Sequence, residues 1–61
     1  MDDLKEYPTQ MRTRQVAEVL QVSEQTIRRW IADGTLPAFR VRGEYRIPRE
    51  VIERMIDEAM R

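Results

Sequence analysis

Gln25 and Arg29 have the most specific chemistry in this chain, because each side chain can form two parallel hydrogen bonds with a flat polar partner. In DNA, the amide of glutamine matches the major-groove edge of adenine, and the guanidinium of arginine matches that of guanine. The two residues stand one helical turn apart in the sequence, so a helix presents them on the same face. Their spacing therefore predicts a helix that contacts base edges, with solvated surface as the alternative.

Two further residues flank this polar face, and each has more than one interpretation. Arg28 lies further round the helix and is assigned to a phosphate, with a base contact as the alternative. Thr26 is interpreted equally well as a contact to a phosphate or a thymine methyl group and as plain solvent exposure.

The opposite side of the same helix is apolar. It carries Ile27, Trp30 and Ile31, and this spacing is typical of an amphipathic helix that packs on a core. We interpret Trp30 as a core anchor, with stacking on a base as the alternative. Ser23 is the predicted N-cap and Gly34 the predicted residue just after the C-terminus.

A shorter helix precedes this one. Thr13 is its predicted N-cap, and the helix runs to about Leu20 with an apolar face. Arg12 and Arg14 at its start are candidates for contact with the DNA backbone, with solvent exposure as the alternative. A tight turn then follows at Gln21, where a residue other than glycine carries a small conformational cost.

Residues 39–47 alternate between apolar and charged side chains, which predicts a two-stranded hairpin with Gly43 at its tip. The expected apolar face consists of Phe39, Val41, Tyr45 and Ile47, and the expected polar face of Arg40, Arg42, Glu44 and Arg46. Arg42, beside Gly43, is the candidate for insertion into a minor groove. We expect a phosphate contact from at least one of Arg40 and Arg46, with pairing to Glu44 as the alternative.

Pro48 fits the first position of a third helix, whose apolar stripe extends to Ala59 and Met60. The end of that stripe exceeds what a small core can bury, so it either meets another chain or frays. The helix is acidic and is expected to face away from DNA. Residues 1–10 form an N-terminal arm, pinned by Leu4 or Tyr7, and residues 11–61 form a single domain.

Composition argues against an enzyme. The chain has no cysteine, no histidine and one serine, so the commonest general base and metal ligand are missing. We expect no catalytic residue, cofactor or metal. No apolar run approaches the ~20 residues of a membrane span, and the acidic N-terminus does not resemble a signal peptide, so we expect a cytoplasmic protein with no membrane partner.

The formal net charge is zero, yet the charges are unevenly distributed. Residues 12–49 hold eight arginines against four acidic side chains, whereas both ends of the chain are acidic. Ten arginines against one lysine favour planar, bidentate recognition of phosphates and bases. This pattern indicates a basic patch, with a mixed solvated surface as the alternative.

Five segments together carry a family resemblance: residues 13–20 (TRQVAEVL), 22–23 (VS), 25–31 (QTIRRWI), 34–38 (GTLPA) and 40–50 (RVRGEYRIPRE). Their order resembles the winged helix-turn-helix of the MerR superfamily, and most of all its short excisionase branch, the phage recombination directionality factors. The resemblance covers nearly all of residues 11–56. It implies a mainly α fold with a small β-hairpin, made of a helix-turn-helix, a two-stranded wing and a third helix.

The resemblance also implies a function. An excisionase binds double-stranded DNA as several copies on adjacent sites, distorts the DNA and directs a phage integrase towards excision. The second helix would occupy the major groove and the wing the minor groove. Two alternatives stay open: a small MerR-like transcriptional regulator, and a protein-interaction adaptor that uses the third helix with Met55 and Met60.

Overall fold

The computed structural model describes residues 4–61, which form three helices and three short strands. In chain order these are β1 (Gln10–Met11), α1 (Thr13–Leu20), α2 (Glu24–Ala32), β2 (Phe39–Val41), β3 (Glu44–Pro48) and α3 (Arg49–Ala59). The strands form one antiparallel sheet in the order β1-β3-β2. The predicted winged helix-turn-helix is confirmed. The start of the predicted arm, residues 1–3, lies outside the described residues.

Helix α1 begins one residue earlier than predicted. Arg12, not Thr13, is the N-cap, with extended φ and ψ of −92° and 162°. The backbone N–H of Arg12 donates to Oε1 of Gln15 at 2.9 Å. The glutamine in the first turn therefore stabilises this terminus, and Thr13 is already helical because no hydroxyl cap is needed there.

The turn between α1 and α2 depends on a left-handed residue that is not glycine. Gln21 has φ and ψ of 59° and 45°, a region that costs energy for a residue with a Cβ. Its side-chain Nε2 donates to the carbonyl of Glu18 at 2.9 Å, and the N–H of Val22 donates to the carbonyl of Ala17 at 3.1 Å. These hydrogen bonds offset part of the conformational cost expected from the sequence.

Both ends of α2 are capped as predicted. The hydroxyl of Ser23 accepts a hydrogen bond from the N–H of Thr26 at 3.1 Å, and Gly34 follows the helix with a φ of 86°. Across Gly34, the carboxylate of Asp33 accepts a hydrogen bond from the N–H of Thr35 at 2.9 Å. The hydrogen bonds with Thr35, helped by the charge of Arg29, lower the pKa of Asp33. The second helix is thus fixed in position by local hydrogen bonds at each terminus.

The hairpin has a different face pattern from the predicted one. Arg40 pairs with Tyr45, and Val41 with Glu44, and paired residues of antiparallel strands share a face. Phe39 and Val41 therefore lie on the other face of the hairpin from Tyr45 and Ile47. Phe39 is 42% exposed and Val41 is 37% exposed. The predicted apolar face is wrong because the alternation does not continue through the tip. A two-residue turn pairs each odd-numbered residue of β2 with an even-numbered residue of β3 and each even-numbered one with an odd-numbered one.

The core contains more than the helix faces. The fully or nearly fully buried side chains come from α1, α2, β1, β3, α3 and the loop after α2: Met11, Val16, Ala17, Ile27, Leu36, Ile47 and Ile52. Trp30 packs against this cluster but is only partly buried, so the anchor in α2 is Ile27. Met60, at the end of the third helix, is 69% exposed. Within residues 4–61, no helix is long and apolar enough to cross a membrane.

Strand β1 and Arg49 join the N-terminal segment to the domain. Gln10 pairs with Pro48, which ends β3 and precedes α3 instead of opening it as predicted. The N–H of Arg49 donates to the carbonyl of Thr9 at 2.8 Å, and its Nη1 donates to the carbonyl of Tyr7 at 2.7 Å. Leu4 and Tyr7 both pack against the core. Arg49 is therefore a structural residue that the sequence did not single out.

Removal of the Arg49 side chain is expected to destabilise the domain. Arg49→Ala leaves a partly buried carbonyl without its charged donor, and such a loss costs about 1–3 kcal/mol in free energy of unfolding. Urea denaturation followed by circular dichroism measures it. Arg54→Ala on the same helix removes only an exposed ion pair and should cost less than about 0.5 kcal/mol. Equal losses for the two variants would contradict the structural role of Arg49.

Candidate nucleic-acid interface

An open groove of about 830 Å³ lies between α2 and the wing. One of its walls is the outward face of α2, formed by Glu24, Gln25, Arg28, Arg29 and Ala32. Gln25 and both arginines are exposed, while Ile27 is fully buried on the other side of the helix. The polar face predicted from the sequence therefore forms one wall of a concave surface. It points away from the protein because Ile27, on the other side of α2, is packed into the core.

The other walls come from the start of α1 and from the hairpin. Around the N-terminus of α1 the lining residues are Arg12, Thr13 and Arg14, and from the wing they are Arg40, Gly43, Glu44 and Tyr45. The groove thus unites seven predicted site residues: Arg12, Arg14, Gln25, Arg28, Arg29, Arg40 and Gly43. Five arginines face two glutamates there, so the surface is positively charged and attracts a polyanion.

Three predicted site residues do not line the groove, and the structure gives each a distinct position. The hydroxyl of Thr26 lies 2.9 Å from that of Ser23, within the cap of α2. Arg42 is exposed at the tip of the wing, next to Gly43. The side chain of Arg46 is only 22% exposed, and its Nε is buried without a hydrogen-bond partner among the described residues.

Glu44 organises the charges between the wing and α1. Its Oε1 lies 3.6 Å from Nη2 of Arg46 and 3.9 Å from Nε of Arg12. The ion pair expected as an alternative for Arg46 is therefore present. Arg40 instead lies above the ring of Tyr45, with its guanidinium carbon 5.1 Å from the ring centre. Stacking on the ring leaves the edge of this guanidinium available for hydrogen bonds, which suits a phosphate contact.

Glu24 lines the groove, although the sequence pattern did not single it out as a site residue. Its Oε1 accepts a hydrogen bond from Nη2 of Arg28 at 3.2 Å. The signal was available in the sequence as a Glu-to-Arg spacing of one helical turn. That spacing also occurs in ordinary solvated helices, so only the groove distinguishes this pair.

The geometry of the site suits duplex DNA. An α-helix with its side chains is ~10–12 Å in diameter, and the polar face of α2 is exposed. The major groove of B-DNA is ~12 Å wide and admits one helix. The arrangement places amide and guanidinium donors from the start of α1, from α2 and from the wing around one groove.

Comparison with known proteins agrees with this geometry. A family profile described as a helix-turn-helix domain matches residues 11–60, which include α1, α2, the whole wing and α3. No curated protein and no solved structure matches the chain.

Proposed function

We propose that this chain, which belongs to the helix-turn-helix domain family, binds DNA sequence-specifically through its second helix and acts as a phage excisionase. In this role it binds adjacent DNA sites in several copies, distorts the DNA and directs an integrase towards excision. It performs no catalysis itself, and it acts in the cytoplasm on host or phage DNA.

The observation that carries the proposal is the groove between α2 and the wing. Gln25 and Arg29 lie side by side on its α2 wall, where they can contact an adenine and a guanine. Arg12, Arg14 and Arg28 share the same groove and can hold the phosphates that fix the position of the helix. Base reading and backbone anchoring thus come from one continuous surface.

The wing supplies the second contact. Arg42 and Gly43 both have positive φ, 53° and 81°, as a type I′ turn requires. This conformation is costly for arginine and cost-free for glycine, so a polar residue such as asparagine would suit the turn better. An arginine on this narrow tip is attracted by the negative potential of the minor groove. We therefore assign Arg42 to the minor groove next to the site read by α2.

Binding of several copies follows from the size of the reading surface. A single helix of nine residues contacts only a few base pairs, which gives limited specificity in a genome. Copies on adjacent sites increase the effective affinity without additional contacts within each copy. Arginines of successive wings would favour a duplex whose minor groove is narrowed towards the protein, and such a distortion can favour one recombination product.

The decisive experiment compares attachment-site DNA with scrambled DNA of equal composition across a salt series. We expect a specific complex whose logarithmic affinity falls linearly with logarithmic salt concentration, by about 0.9 per phosphate neutralised. The same attachment-site DNA is then incubated with the phage integrase that recombines it, and excision should require this protein. Specific binding without any effect on excision would refute the excisionase role and favour a small transcriptional regulator. Equal affinity for both DNAs would favour the protein-interaction adaptor.

A further inference from the structure

We propose that Glu24 determines specificity by accepting a hydrogen bond from the N4 amino group of a cytosine, while Arg28 connects its carboxylate to the phosphate backbone. The inference rests on the proposed binding of α2 in the major groove, and it adds a base contact to those of Gln25 and Arg29.

The position of Glu24 is the first argument. It is the first residue of α2, directly after the Ser23 cap, and it lines the groove beside Gln25. In helix-turn-helix proteins the N-terminal residues of the second helix are those that contact base edges. The side chain is 40% exposed, so its carboxylate is accessible from the groove.

The second argument concerns charge. A carboxylate on a surface that binds a polyanion repels phosphates, and this costs affinity unless a cation neutralises it. Arg28 does so here, with its Nη2 at 3.2 Å from Oε1 of Glu24. A guanidinium has five N–H donors in a planar fork, so Arg28 can hold Glu24 with one side and a phosphate with the other. The pair therefore forms a bridge from the backbone to the base edge.

The third argument identifies the base. A carboxylate only accepts hydrogen bonds, so it needs an amino group in the major groove. Guanine presents two acceptors and thymine one, and both repel it. Adenine presents an amino group beside the N7 acceptor, whereas cytosine presents its N4 amino group alone. Among the four bases, cytosine is the best match for Glu24.

The test is selection of bound duplexes from a randomised library, with the wild-type protein and Glu24→Gln. We expect the wild type to enrich cytosine at one position, and the variant to lose that preference by about 5- to 150-fold. Adenine should replace cytosine, since an amide pairs well with adenine. Affinity for scrambled DNA should rise in the variant because a negative charge leaves the groove.

Glu50→Gln is the matched control. Glu50 also lies in the first turn of a helix and pairs with an arginine one turn later, Arg54, at 3.7 Å. It lies on α3 and does not line the groove, so its replacement should change neither base preference nor affinity.

Three outcomes would overturn the inference, and they can be distinguished. If Glu24→Gln binds all sequences more tightly and keeps the same base preferences, Glu24 is only a repelling charge. If the variant is less stable and binds all sequences more weakly, Glu24 acts only on the helix terminus. If the wild-type protein enriches no sequence at all, the proposed function fails and the assignment of Glu24 fails with it.

Discussion

Replacement of Ile27 by alanine is expected to remove much of the stability of this protein. Ile27 is fully buried on the core side of α2, and Ile-to-Ala changes at such positions cost about 2–5 kcal/mol. A domain gains about 0.05–0.15 kcal/mol per residue, so 61 residues should be stable by about 3–9 kcal/mol. The loss is therefore a large fraction of the total, and thermal and urea denaturation should both record it.

The effect should reach DNA binding as well, because Ile27 holds the polar face of α2 outward. Val41→Ala serves as the control, since Val41 is 37% exposed on the outer face of the wing and its truncation should cost less than about 0.5 kcal/mol. A stability loss in Val41→Ala as large as that in Ile27→Ala would show that the apolar side of the hairpin is buried, contrary to the observed strand register.

Arg29→Ala is expected to reduce the discrimination between the correct DNA site and scrambled DNA by about 5- to 150-fold. One good bidentate contact to a base contributes about 1–3 kcal/mol of discrimination, so affinity for the correct site should fall about 5- to 150-fold. Arg29 is exposed, and alanine is the best helix former, so α2 should keep its structure. Titrations of both DNAs at one salt concentration measure the effect, and circular dichroism checks the fold.

Arg28→Ala provides the contrast within the same helix. This variant loses a phosphate contact and leaves the charge of Glu24 without its partner, and both changes weaken binding to any sequence. Affinity for scrambled DNA should therefore fall together with affinity for the correct site, and the salt dependence should decrease by about 0.9 in logarithmic slope. If instead Arg29→Ala weakens both DNAs equally, Arg29 contacts a phosphate and our assignment of its role is wrong.

The helices were predictable from the sequence because their signals are local. Apolar residues recur at helical spacing in all three, and Ser23 and Gly34 mark both ends of α2 as found in the structure. The errors at Thr13 and Pro48 are of one position each, because several neighbouring residues can satisfy a helix terminus equally well.

The sheet and the core were less predictable, because they depend on pairing between distant residues. Met11 and Leu36 are buried, but each lies in a segment too short to show a period. β1 has only two residues, and its pairing with Ile47 and Pro48 crosses most of the chain. The face pattern of the wing could not be read from alternation alone, since the number of residues in the turn decides it.

The candidate site was predictable in its residue types and less so in its internal contacts. Helical spacing placed Gln25, Arg28 and Arg29 on one surface, and the structure brings them to a common groove with the wing. Pairing of Arg46 with Glu44 was expected as an alternative, whereas the ion pairs Arg28–Glu24 and Arg12–Glu44 were not predicted. An acidic side chain in a basic segment gives no specific sequence signal for a role in the site, because the fold determines which arginine it pairs with and whether the pair lines the groove.

The length of the two-residue tip of the wing, more than its composition, determines which side chains of β2 line the groove. Arg42 and Gly43 connect strands in which Arg40 shares a face with Tyr45. Insertion of one residue would shift β2 by one position against β3 and turn Arg40 to the opposite face of the wing, whereas Arg46 would keep its place because β3 also pairs with β1 and buries Ile47. Point substitutions in the tip would leave this register intact, whereas a single-codon insertion or deletion would change in one step which side chains of β2 line the groove.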